Sequence, residues 1–156
     1  MTNRFLLIAS LFALVCTPAI AQDDPLVGLW QTQDKDAVIE FYACGDETFC
    51  GRFYWLQDED PNAPSLDEKN KDPALRQRPL CRLTFLGGFQ DKGEGLYDNG
   101  WLYSPRHGSD FSARLRLLTQ DTLELRGYVL TPMLGGSQTW TRIHESATCH
   151  TLSQTP

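Results

Sequence analysis

The sequence predicts an all-β protein, eight short antiparallel strands in up-and-down order with one long loop between strands three and four. Three observations carry this prediction. Apolar and polar residues alternate at period two almost throughout, the pattern of half-buried strands. Most links between these runs are of hairpin length and are marked by Gly, Asp or Pro. Helix signals are confined to Asp72-Pro73-Ala74-Leu75-Arg76, where an N-cap acid precedes a proline suited to the first helical position. Pro79 limits that segment to one or two turns.

The chain of 156 residues opens on MTNRFLLIASLFALVCTPAIA. Arg4, the apolar run from Phe5 to Cys16 and the small-residue site Ala19-Ile20-Ala21 read as a secretory signal peptide cleaved near Ala21. The apolar run is shorter than the roughly 20 residues that span a bilayer. Residues 22–156 then form a single domain, expected to be periplasmic or secreted and without stable membrane insertion. The formal net charge of −6 argues against nucleic acid or an anionic membrane surface as a partner. Four cysteines remain after cleavage, Cys44, Cys50, Cys81 and Cys149, without CxxC-type metal spacing. In an exported chain they suggest two disulfides, with three possible connectivities. The most local pairing is Cys44 with Cys50, which leaves Cys81 with Cys149.

Val27–Thr32 is the first strand, opened by Gly28 and carrying Trp30. Ala37–Cys44 alternates Ala37, Ile39, Phe41 and Ala43 against Val38, Glu40, Tyr42 and Cys44, and turns at Gly45-Asp46 into Thr48–Leu56. Residues 57–81 follow as the long loop, with four prolines, six carboxylates and a basic end at Arg76 and Arg78. Connections of this length are uncommon in compact domains unless they serve a function or are disordered. Arg82–Phe89 is the fourth strand and Leu96–Tyr103 the fifth. Phe111–Leu118 sets Phe111, Ala113, Leu115 and Leu117 on one face, with Ser112, Arg114 and Arg116 on the other. Leu123–Val129 and Ser137–Ile143 complete the set, before a polar tail.

Such a series fits an antiparallel barrel or a sandwich. The chain ends favour the barrel. Gly28-Leu29-Trp30 opens the first strand and Arg142 lies in the last, and in a closed barrel those strands are neighbours, so that the arginine can stack on the tryptophan. This pattern resembles the lipocalin and wider calycin barrels. GLW at 28–30, AVIEFY at 37–42, CGRFYWL at 50–56, DEKNKDPALRQRPLC at 67–81, GWLYSP at 100–105 and SQTWTR at 137–142 together resemble the exported bacterial family known as domain of unknown function 2147 (DUF2147). The resemblance implies a lipocalin-like barrel and an exported location; it implies no reaction. Arg82 departs from the family pattern, which usually has glycine after the loop cysteine, and this puts the local backbone geometry in question.

Catalytic motifs are absent from the sequence: no GxSxG, SxxK, P-loop or dinucleotide fingerprint occurs. His144-Glu145 begins like a zinc-protease motif but lacks its second histidine, and His107 sits in a polar turn. Asp58, Asp60 and Asn62 begin like a calcium loop, yet Ala63 and Lys69 stand where glycine and glutamate are needed. No metal, cofactor or catalytic residue is therefore assigned. The loop's second half holds Asp67, Asn70, Asp72 and Arg78, residues that can hold an irregular backbone or present an arginine to an anion. Pairing of Arg78 with Asp67 or Asp72 to pin the loop is the favoured account. Trp55, Trp101 and Tyr103 are aromatics suited to a mostly apolar pocket. The expected function is non-catalytic binding of a small apolar or amphipathic molecule inside the barrel, with Trp55, Asp67, Asn70, Asp72, Arg78, Trp101 and Tyr103 as candidate site residues. The alternatives are an envelope-directed enzyme using Asp67 or Asp72 as general base, and a protein–protein module of the cell envelope.

Overall fold

In the computed structural model, which describes residues 24–60 and 62–149, the chain closes on itself as an antiparallel barrel. The expected signal peptide lies outside the described residues. The strands run in order β1 (Gly28–Gln31), β2 (Ala37–Gly45), β3 (Thr48–Leu56), β4 (Thr84–Asp91), β5 (Leu96–Ser104), β6 (Ser109–Thr119), β7 (Thr122–Tyr128) and β8 (Gly135–Ile143). Each pairs with the next, and β8 returns to β1 through Leu29 opposite Ile143 and Trp30 opposite Arg142. The alternation in the sequence is the alternation of the wall. On β6, Ala113 and Leu115 are fully buried while Ser112 and Arg116 face water. Pro73–Leu75 is a single 3-10 turn, capped by the Asp72 carboxylate accepting from the Ala74 N–H at 2.9 Å.

One end of the barrel carries a plug. The Trp30 indole N–H donates to the Leu26 carbonyl at 2.9 Å, and the Arg142 guanidinium lies 4.2 Å from the Trp30 ring. Arg142 also donates to the carbonyls of Gln120, Val27 and Pro25, tying the N-terminal segment across the barrel floor. Gly28, at φ +129°, is what admits this arginine: a Cβ there would stand 3.0 Å from Nη1. Above the plug, Phe41 packs against Phe89 and Trp140, with ring centroids 6.4 and 6.2 Å away. Tyr97, Leu115 and Leu123 complete this fully buried layer, and the Tyr97 hydroxyl donates to Asp24 at 2.6 Å. Burial first, and then that carboxylate, push the Tyr97 phenol pKa well up, so it stays a neutral donor.

Two cysteine features separate here. Cys44 and Cys50 are joined as a disulfide across the β2–β3 turn. Cys81 and Cys149 are both buried and neighbouring, but stand as thiols, unlike the expected bond. Arg82, where glycine was the pattern, has φ +64°, the left-handed region that favours glycine. Its side chain offsets part of that cost by lying 5.2 Å over the Tyr54 ring and 3.8 Å from Glu40.

Candidate functional site

The long loop is built as a hairpin of its own. The Asp67 N–H donates to the Arg78 carbonyl at 3.0 Å and the Leu80 N–H to the Ser65 carbonyl at 2.8 Å, with Leu66 bridged to Pro79. At its centre is Asp67, a carboxylate with no exposed surface. Three side chains converge on it. The Tyr103 hydroxyl donates to Oδ1 at 2.6 Å, and Asn70 Nδ2 donates to Oδ2 at 2.7 Å. Arg78 donates to Oδ2 from Nε at 2.9 Å and approaches it with Nη2 at 2.8 Å, while its guanidinium lies 5.3 Å over the Tyr103 ring.

The electrostatics follow from this geometry. Burial by itself pushes the Asp67 carboxyl up, but the bonds from Tyr103, Asn70 and Arg78 outweigh it and hold the group below the usual carboxylate range. Burial, then the bond to Asp67, raise the Tyr103 phenol. Asp67 is therefore an ionised and fully coordinated anchor, a poor proton acceptor at neutral pH. Asn70 extends the knot: its Oδ1 accepts from the Asp72 N–H at 2.9 Å and its carbonyl from Arg76 Nε at 2.8 Å.

The loop leaves from the end of β3 and re-enters at the start of β4, which is the barrel end opposite the Trp30 plug. It also presses on the β5–β6 turn. Gly108 has φ +58°, and a Cβ there would fall 1.8 Å from the Lys69 carbonyl oxygen. Gly108→Ala is accordingly expected to cost about 1–3 kcal/mol and to lift the loop from the turn. Faster proteolysis between residues 57 and 81, at unchanged far-ultraviolet circular dichroism, would report it.

At this end the wall is apolar but not sealed. Leu102 is inward: it pairs with buried Leu86, and a Cβ at Gly127 would touch it. Phe53 stacks on Phe85 at 4.0 Å and pairs with buried Ile39. Both pack on the core, yet both remain half-buried, as do Leu83 beside them and Phe111 at the rim.

The expected site residues divide into groups. Asp67, Asn70, Arg78 and Tyr103 come together in one network, and Asp72 borders it as the cap of the 3-10 turn. Trp55 is half-buried at the end of β3, opposite Val38, and has no part in the network. Trp101 does not line the interior. Its neighbour Gly100 faces the Phe89 ring, so Trp101 points outward, 42% exposed, with its indole over Gly87 and Gly88. Asp60 does not start a metal loop here; its carboxylate accepts from the Asn62 N–H at 2.8 Å, an ordinary Asx turn. Sequence reasoning missed Phe53, Leu83 and Leu102 as mouth residues, and for Phe111 the inward row of β6 was the available signal.

Comparisons with known proteins agree with this architecture. The family model described as "Uncharacterized protein conserved in bacteria (DUF2147)" matches residues 28–142. Among solved structures, protein HP1028 of Helicobacter pylori, described as belonging to the lipocalin family, is similar with a TM-score of 0.69. It shares 23% identity over 77% of this chain and 84% of its own, a likeness of fold. No curated protein matches.

Proposed function

The chain belongs to the bacterial DUF2147 family, and from that membership and the barrel geometry we propose that it is an exported, non-catalytic binder of a small apolar or amphipathic molecule. One observation carries the reading: inward-facing Phe53 and Leu102 keep solvent exposure at the loop end, above a fully buried layer of Phe41, Phe89 and Leu115. Concave apolar walls with a few placed polar groups are the usual form of small-ligand sites. The loop from Asp67 to Arg78 then acts as a fixed rim rather than as reactive machinery, because every polar group of its central carboxylate is already used. Export is supported by the Cys44–Cys50 disulfide, since such bonds persist in oxidising compartments. Among the described residues no helix is long and apolar enough to cross a membrane.

Filling the mouth tests the site. Titration with the fluorescent apolar probe N-phenyl-1-naphthylamine should give saturable binding, and Leu102→Trp should weaken it by about tenfold or more at unchanged fold. Probe binding indifferent to Leu102→Trp would remove the barrel mouth as the site. Native mass spectrometry of the protein taken from its own envelope would identify the natural occupant.

A further inference from the structure

The β7–β8 turn and the outer wall of β5 and β6 form a surface outside the loop network that meets the mouth only at Phe111. The turn runs Val129-Leu130-Thr131-Pro132-Met133-Leu134. Its large apolar side chains are held out in water: Leu130 is 87% and Met133 89% exposed. This exposure is not slack. The Val129 N–H donates to the Leu134 carbonyl at 3.0 Å and the Leu134 N–H to the Thr131 carbonyl at 2.9 Å. The Arg126 guanidinium donates to the Pro132 and Gly135 carbonyls and to the Ser137 hydroxyl. Leu130 has φ +64°, a conformation a leucine keeps only when its surroundings impose it. A fixed, strained and apolar tip has the character of a contact element.

Beside the tip lies a groove of about 370 Å³. Strand register builds it. Ser112 pairs with Trp101 on one side and Tyr128 on the other, so two aromatics flank one small residue. Asp110 follows on the same face of β6, and Val129 and Leu130 close the end. Asp110 is exposed, and among the described residues it enters no ion pair.

We propose that this face docks on the surface of a zwitterionic lipid bilayer, the β7–β8 tip entering the interfacial layer and an alkylammonium head group settling against Trp101 and Asp110. The chemistry is complementary at Trp101, Asp110 and the apolar tip, while the Tyr128 face is taken by the Arg114 guanidinium, 6.0 Å from its centroid. Tryptophan and tyrosine suit the membrane–water boundary, where one side of the ring is apolar and the other wet. An indole face attracts a quaternary or primary ammonium, and an unpaired carboxylate beside it favours a cation over a phosphate. The acidic chain disfavours an anionic surface, which leaves zwitterionic lipid as the matching one. The tip also leaves the barrel at the same end as the half-open mouth, so docking would bring that mouth to the lipid. The proposal stands whether or not the barrel holds a ligand.

Flotation of the mature chain with phosphatidylcholine vesicles tests it. Wild type should partition onto the vesicles, and replacing half of the lipid with phosphatidylglycerol should weaken it. The pair Leu130→Asp and Met133→Asp should lower the partition coefficient by about tenfold or more, since both side chains would leave the interface. Their near-complete exposure predicts an unchanged thermal unfolding profile. Trp101→Ala and, without touching any packing, Asp110→Asn should each lower it by about threefold. Wild-type protein that stays with the lipid-free fraction overturns the proposal, as does equal partitioning of all variants. A dimer in sedimentation velocity that Leu130→Asp/Met133→Asp abolishes, without vesicle binding, would assign the face to a second copy instead.

Discussion

Asp67→Ala is expected to destabilise the protein by about 3–5 kcal/mol, with the damage concentrated in the loop. The carboxylate is fully buried and receives Tyr103, Asn70 and Arg78. Truncating it strands a guanidinium and a phenol together, and leaving buried partners unsatisfied costs more than the bonds themselves contribute. Arg78 retains 33% of its side-chain exposure, so water can relieve part of its loss and the lower end of the range applies. The double variant Asp67→Ala/Arg78→Met should therefore recover part of the stability by removing the stranded charge. Tyr103→Phe, which loses one bond to a charged acceptor, should cost about 1.5–3 kcal/mol. Loop amides between residues 65 and 80 should exchange faster in Asp67→Ala, beyond any change in the barrel strands. Exchange rates and unfolding midpoints that match wild type would show that the network does not hold the loop.

The same carboxylate gives acid sensitivity with a definite sign. Its folded pKa lies below the unfolded value of about 3.9, so its contribution is complete above roughly pH 5. That contribution is lost as pH falls through the folded value. Asp67→Asn should flatten this part of the acid unfolding curve while lowering the midpoint at neutral pH.

The barrel was legible because alternation specifies a face over most of the strands, and because Gly28, Trp30 and Arg142 report closure at a distance. The pairing of Arg78 with Asp67 was legible as one of two options, and the structure selects it over Asp72. The share of Tyr103 in the knot was not legible, since it reaches Asp67 only when β5 folds beside the loop. Trp101 shows where alternation fails. Tyr97 and Gly100 both face the interior although three residues apart, which a regular strand does not allow; the register shifts between them, at Asn99 with φ +65°. One extra residue reverses the faces downstream, placing Leu102 inside and Trp101 outside. Asn99-Gly100 was the available mark, since asparagine tolerates positive φ and an isolated glycine within a strand signals a bulge. Residues 130–136 read only as the link between the last two strands, whereas the exposure of Leu130 and Met133 follows from the turn that Arg126 fixes.

Cys81 and Cys149 carry the other large expected effect. Both are buried, Cys81 at the root of the loop and Cys149 in the tail, whose N–H donates to the Tyr54 carbonyl at 2.6 Å. Burial, and then the adjoining Cys81 thiol, push Cys149 up to about 12, so at neutral pH it is almost never the thiolate that attacks a disulfide. A folded chain should accordingly oxidise slowly by itself. Exchange with the disulfide of an oxidant during folding, before the tail is covered, should instead close the pair and leave the oxidant with two thiols. A bond enclosing so long a segment should stabilise the fold by about 4 kcal/mol, mostly by restricting the unfolded chain. Protein from an oxidising compartment should therefore resist thiol labelling in denaturant, and Cys81→Ala/Cys149→Ala should unfold at a clearly lower denaturant concentration. Two labelled thiols in that material, with no stability difference from the double variant, would leave the tail held only by the Tyr54 contact and its packing. The link would also explain why the loop can be strained at Arg82 without lifting: the residue just before it would be covalently fixed to the far end of the described chain.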